Sequence, residues 1–92
     1  MIKPTVGRVV WFFKYVQGQG HKGPLAAHVA FVHSDSMLNL MVIDENGNPH
    51  SETSVHLVQE EPAPNNNYCC WMPYQKGQAA KTEELEKKLT NG

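Results

Sequence analysis

The spacing of short β-type runs is the feature that most constrains how this chain can fold. The first run, 6–15, is dense in β-branched and aromatic residues and lacks the 3.6-residue period of a helix. Further apolar runs follow it, bounded by Gly, Pro, Asn, Asp or Ser, which favour chain reversal. The pattern predicts strands over 6–15, 25–33, 37–43, 53–59 and 68–74.

The connections between these runs differ in length. Residues 17–24 contain three glycines and a proline, which predicts a long loop after the first strand. Residues 34–36 and 44–49 are short, and the second contains an Asn-Gly pair that tolerates positive φ. Residues 60–67 are rich in proline and asparagine, which predicts an exposed loop. We therefore expect two tight hairpins, one before and one after the third strand.

A chain of 92 residues is long enough for one domain with a modest core. The order of loops and turns predicts a mainly β fold, a small SH3-like barrel of four to five antiparallel strands, and matches the Greek key of an OB-fold less well. Residues 78–89 favour a helix with Leu85 and Leu89 on one face. We expect a barrel over 1–77 and a C-terminal α-helix with its tail over 78–92.

The first strand is apolar on both of its alternating faces. Val10 and Phe12 lie on one face, and Trp11 and Phe13 lie on the other. A barrel of this size buries only one set, so the second set needs a cover. Three covers are possible from the sequence: the C-terminal helix, the segment 60–74, or another copy of the chain. We expect a homo-oligomer with Trp11 or Phe13 at its interface.

Composition and charge disfavour several classes of protein. The net charge of −1 provides no uniform positive field, so general nucleic-acid binding is not expected. No window approaches the roughly 18 apolar residues of a membrane span, and the first residues do not resemble a signal peptide. Cys69 and Cys70 are adjacent, which disfavours a bridge between them and suits a reducing cytosol. In an extended segment one of these thiols points inward and the other outward.

Candidate catalytic and metal-binding motifs are weak. Residues 33–36 read His-Ser-Asp-Ser, but consecutive turn residues cannot converge as a catalytic triad does. The acid pairs 44–45 and 60–61 lie beside turn residues and indicate solvated loop charge. The G-x-G-x-x-G spacing at 18–23 lies between strands, without the helix that a dinucleotide site needs. We predict no enzyme activity and no cofactor.

The five histidines do not have the spacing of a zinc ligand set, so no metal is predicted. His28 and His56 remain the one pair that could meet across strands.

Four stretches resemble a family of short tailed-phage and prophage proteins that has no assigned activity. They span nearly the whole chain and read KPTVGRVVWF at 3–12, VHSDS at 32–36 followed by NL at 39–40, TSV at 53–55 with LVQ at 57–59, and WMPYQKGQAAKT at 71–82. The resemblance implies a phage origin and the host bacterial cytoplasm. It brings no catalytic residues to this chain.

The charges are unevenly distributed along the sequence. Residues 1–33 carry four bases and no acid, whereas residues 34–61 carry six acids and no base. The two sets either pair across strands or leave a positive region that faces an anion. In the second case cations hold a phosphate and an aromatic ring stacks on a base. The residues expected in this ligand site are Arg8, Trp11, Lys14, Tyr15 and Lys22.

Two functions are compatible with these observations. The first is a phage-encoded, non-enzymatic binding protein that acts against host defence, by sequestering a nucleotide-like immune signal or by masking a host protein. The alternative is a small structural protein of the virion, in capsid decoration or head-to-tail joining. Because the cationic and aromatic residues alternate along the first strand, a ligand site between subunits suits the first function best.

Overall fold

The computed structural model describes residues 2–77 of the chain. Within this range residues 73–77 are helical. The C-terminal helix and tail predicted over 78–92 lie outside the described residues. Among residues 2–77 no helix has the length and apolar character needed to cross a membrane.

Five strands close into a barrel in which neighbours in sequence are neighbours in space. This sequential order is that of the SH3-like meander, so the predicted mainly β barrel is confirmed. Strands β1 and β5 also pair and close the ring. The strands are β1 (Val9–Val16), β2 (Gly20–Ser34), β3 (Met37–Ile43), β4 (Pro49–Val58) and β5 (Tyr68–Cys70).

One junction of the barrel is parallel, which corrects the expectation that all strands are antiparallel. Strands β1 to β4 alternate in direction, and β5 runs antiparallel to β1 but parallel to β4. A ring with an odd number of strands cannot alternate throughout, so one pair must be parallel. A parallel pair cannot be joined by a tight turn. The polar segment 59–67 makes this longer connection.

Strand β2 begins five residues earlier than the sequence predicts. The predicted loop 17–24 is mostly strand, and only a tight turn at 17–19 joins β1 to β2, where Gln19 N donates to the carbonyl of Val16 at 2.9 Å. The register shifts between Phe12 and Lys14, because Gly23 and Pro24 form a bulge in β2. A Cβ at Gly23 would lie 2.8 Å from the carbonyl oxygen of Phe12, so glycine is required there.

The core lies inside the barrel and contains Val10 and Phe12 of β1, whereas Lys14, beyond the register shift, is exposed. The fully buried large side chains of the core are Trp71, Phe12, Leu38, Leu40, Leu57, Val10, Val29, Val42 and Cys69. The odd-numbered face of β1 is half-buried, because Phe13 stacks on Tyr68 of β5 with 4.9 Å between ring centroids. The segment 60–74, one of the three predicted covers, therefore covers part of this face.

The two cysteines lie on opposite sides of β5, as predicted. Cys69 is fully buried, and Cys70 is half-buried on the outside. Burial raises the pKa of the Cys69 thiol to about 12. Burial also raises the pKa of the Cys70 thiol, and the positive charge of the nearby Lys76 lowers it by a smaller amount.

Candidate functional site

A cavity opens where the hairpin of β1 and β2 extends past the end of β3. Its volume is about 410 Å³, within the range of small-molecule sites. The turn that follows β3 forms the opposite side of the cavity. Its lining residues are Lys14, Val16, Lys22, Gly23, Pro24, Leu25, Asp44 and Glu45. We call this region the barrel mouth.

Two lysines lie directly opposite each other at the barrel mouth. Lys14 and Lys22 are partners in the register of β1 and β2, and both are exposed. Like charges in directly opposed positions of a sheet repel. Glu52 offsets this repulsion in part, since its Oε2 lies 3.8 Å from Lys14 Nζ and also 3.2 Å from His50 Nε2. Among residues 2–77 no acidic side chain lies within ion-pair distance of Lys22.

Two carboxylates face the same cavity from the β3–β4 turn. Asp44 Oδ1 accepts hydrogen bonds from the backbone N–H groups of Asn46 at 2.9 Å and Asn48 at 2.8 Å. The hydrogen bond from Asn48 is the main cause of the lowered pKa of Asp44, so this group is ionised at neutral pH. Glu45 is exposed beside it. The barrel mouth thus combines two cations with two anions above an apolar surface.

The structure brings together two of the five predicted ligand residues, Lys14 and Lys22. Arg8 lies just before β1, about 20 Å along the strand from Lys14 by strand rise, and its guanidinium carbon sits 5.6 Å from the ring centroid of Trp71. Trp11 and Tyr15 lie on the outer face of the barrel. No aromatic side chain lines the mouth within residues 2–77, and the apolar lining comes from aliphatic and proline side chains.

The outer aromatic residues hold the loop 60–67 in place. The Tyr15 ring lies 5.3 Å from the His21 ring, which meets Tyr68 edge-on at 4.8 Å. His21 Nε2 lies 2.9 Å from the carbonyl oxygen of Pro64 and 3.1 Å from that of Asn66. Both oxygens only accept, so Nε2 carries the proton. This cluster secures the crossover between the parallel strands β4 and β5.

Asp44 and Glu45 were missed as site residues, because acids beside an Asn-Gly pair indicate solvated turn charge. The turn itself forms as predicted, and Gly47 adopts a φ of 85°. A β2 strand that starts at Gly20 places the β1–β2 hairpin beside this turn. The sequence carries no local signal for this placement, because Gly23 and Pro24 indicate a loop where β2 has already begun.

The turn between β2 and β3 lies at 35–36, inside the predicted turn 34–36, and His33 and Ser34 are the last two residues of β2. His33 Nε2 donates to Asn39 Oδ1 at 2.9 Å. Ser34 Oγ accepts from the backbone N–H of Ser36 at 3.3 Å. The contacts of these side chains therefore stay within the turn and its neighbouring strand.

The possible meeting of His28 and His56 is not realised. His28 is the register partner of Met41 and His56 that of Met37, so β3 lies between them. Within residues 2–77 no three His, Cys, Asp or Glu side chains are grouped so that they could hold a metal ion.

A second, smaller cleft of about 270 Å³ lies between the start of β3, β4 and the loop 60–67. It contains Ser54, which has a φ of 54°, and His56, whose Nε2 lies 3.2 Å from Glu61 Oε1. Ser54 belongs to a bulge in β4, where the register with β3 shifts between Leu38 and Leu40. The backbone N–H of Ser54 donates to Asn39 Oδ1 at 2.9 Å.

Comparisons with protein-family models, with curated proteins and with solved structures find no match to this chain. Function is therefore inferred from the barrel mouth and its charges.

Proposed function

We propose that this chain is a phage-encoded, non-enzymatic binding protein that sequesters a nucleotide-type signal of host defence in the bacterial cytoplasm. The observation that carries the proposal is the opposed pair Lys14 and Lys22 on a cavity of about 410 Å³. The resemblance of four sequence stretches to phage proteins supports the phage origin. Sequestration needs one fold and one site without catalysis, which suits a small barrel.

The opposed lysines favour a phosphate as the group that is bound. Their repulsion costs stability in the empty protein, and a phosphate placed between them removes that cost. Ammonium–phosphate hydrogen bonds are charge-assisted and stronger than neutral ones. Glu52 neutralises Lys14 only in part, because it also contacts His50. Lys22 therefore contributes the stronger share of phosphate binding.

A second copy of the chain would contribute the other three predicted ligand residues, Arg8, Trp11 and Tyr15. In one chain they lie away from the barrel mouth, so any contact with the same ligand comes from a neighbouring subunit. Exposed apolar side chains on the barrel support such assembly: Phe31 is 53% exposed and Met41 is 40% exposed. Light scattering at tens of micromolar tests this part, and a clean monomer would contradict it.

Calorimetry tests the ligand site directly. The full chain is titrated with a panel of 3′,5′-cyclic nucleotides, ADP-ribose and nucleoside monophosphates. We expect heat with at least one member and a loss of affinity of tenfold or more in Lys22→Ala. The matched control is Lys3→Ala, an exposed lysine that does not line the mouth. The proposal is refuted if no member binds, or if both variants bind like the unaltered protein.

The exposed outer face also favours a second candidate, a protein partner. Phe31 and Met41 lie on the neighbouring strands β2 and β3, and an apolar pair in this position is typical of a protein contact. The partner is either a host defence protein or the phage particle. Mass spectrometry of purified virions distinguishes these two: a structural protein is present at fixed stoichiometry, and a masking protein is absent.

A further inference from the structure

The carboxylates of the barrel mouth narrow the class of ligand. Building on the proposed function, we infer that the ligand carries a free vicinal diol beside its phosphate, and that Asp44 and Glu45 recognise this diol. A ribonucleotide with free 2′ and 3′ hydroxyls, such as an ADP-ribose-type molecule, has this chemistry. A 3′,5′-cyclic nucleotide lacks it, because its 3′ oxygen is esterified.

The hydrogen bonding of Asp44 orients one of its oxygens for a ligand. Oδ1 is occupied by the backbone N–H groups of Asn46 and Asn48, which fixes the position of the carboxylate. Within residues 2–77 no donor lies within hydrogen-bond distance of Oδ2, and the Asn48 side chain lies near enough to the carboxylate to help lower its pKa. An ionised carboxylate only accepts hydrogen bonds, so Oδ2 pairs with a hydroxyl or an amine.

The mixed charge of the mouth excludes simpler ligands. Lys14 and Lys22 attract a bare anion, but the two carboxylates repel it. A bare cation is attracted by the carboxylates and repelled by the lysines. A molecule with a phosphate at one end and hydroxyl donors at the other satisfies both sides. Acidic side chains that accept from ribose hydroxyls are a recurrent element of nucleotide sites.

The apolar part of the lining fits the remainder of such a ligand. Val16, Pro24 and Leu25 line the same cavity as the charged groups and offer an apolar surface for a sugar or base. Two sources share the required chemistry, namely ribonucleotides and sugar phosphates. The volume of about 410 Å³ is large enough for either.

Calorimetry with four probes tests this inference: ADP-ribose, adenosine 5′-monophosphate, its 2′,3′-dideoxy counterpart and ribose 5-phosphate. We expect adenosine monophosphate to bind at least tenfold more tightly than the dideoxy form, because the dideoxy form loses two hydrogen bonds to ionised acceptors. Ribose 5-phosphate binding comparable to that of the monophosphate assigns the ligand to sugar phosphates, and much weaker binding assigns it to nucleotides. Both outcomes support diol recognition.

Variants of the acids complete the test. In Glu45→Gln the preference for the diol is expected to fall to about twofold or less. Asp44→Asn keeps an oxygen that accepts the hydrogen bonds of the turn, and it is expected to reduce the preference for the diol as well. Circular dichroism shows whether this variant is folded. Glu60→Gln, an exposed acid outside the mouth, is the control. Equal binding of the ribo and dideoxy forms overturns the inference and leaves the phosphate site standing, whereas binding of neither overturns both.

Discussion

Replacement of Ser54 by glycine is expected to stabilise the barrel. Ser54 has a φ of 54°, in the left-handed region that costs a residue with a side chain about 1–2 kcal/mol. Glycine removes this cost, but its greater freedom in the unfolded chain takes back about 0.5–1 kcal/mol. The Ser54 side chain is exposed, and its backbone bond to Asn39 is independent of the side chain. The net gain is about 0.5–1 kcal/mol in the free energy of unfolding.

Urea denaturation followed by tryptophan fluorescence measures this change, because Trp71 is buried in the folded protein. The urea concentration at the midpoint of unfolding should rise, while the slope of the free energy of unfolding against urea concentration stays constant. The melting temperature should increase by about 2–8 °C for a domain of this size. Thr53→Gly is the matched control, since Thr53 lies in the same bulge without a positive φ. It should lose about 0.5–1 kcal/mol. If Ser54→Gly lowers stability as Thr53→Gly does, the argument from backbone strain is wrong.

Three further predictions concern other residues. Gly23→Ala should destabilise the fold by about 2 kcal/mol or more, measured by urea denaturation, because the new Cβ meets the Phe12 carbonyl and φ is 145°. Alkylation with iodoacetamide followed by mass spectrometry should label Cys70 before Cys69, whose thiol is buried with a pKa of about 12, and simultaneous labelling would contradict this order. Backbone N–H groups donate hydrogen bonds to the Glu61 carboxylate and lower its pKa from 4.5 to about 2. The N–H group of Glu61 itself has the largest effect. The ionised Glu61 carboxylate therefore stabilises the folded state above pH 4.5, and this stabilisation is lost as the pH falls towards 2. The free energy of unfolding of Glu61→Gln should fall less than that of the unaltered protein between pH 4.5 and 2.

Local turn chemistry made much of the fold predictable. Strand β3 has the predicted bounds, 37–43, because turn residues on both sides leave no other place for it to end. The start of β2 was not predictable from the same rule. Gly23 and Pro24 normally indicate a loop, and here the partner strand accommodates them as a bulge. The identity of a turn residue does not reveal whether a neighbouring strand continues past it.

The site was predictable only in its cations. The acid-free first third of the sequence pointed to Lys14 and Lys22, but their direct opposition depends on the register of β1 with β2. That register is set by the tight turn at 17–19, where the sequence predicts a longer loop over 17–24. Asp44 and Glu45 join them through contacts between two hairpins, a long-range arrangement that no local pattern encodes.

The closure of the barrel explains why the mouth is without aromatic rings. Five strands force one parallel junction, and the long connection that this junction needs is secured on the outer face by His21, Tyr15 and Tyr68. Within one chain Tyr15 and Tyr68 therefore hold the loop 60–67 and do not line the mouth. Recognition at the mouth then depends on charges and hydrogen bonds, which dissolved ions weaken at an exposed site. The affinity for a phosphate ligand should fall as salt rises from about 0.05 to 0.5 M, and a constant affinity would indicate that apolar contacts dominate.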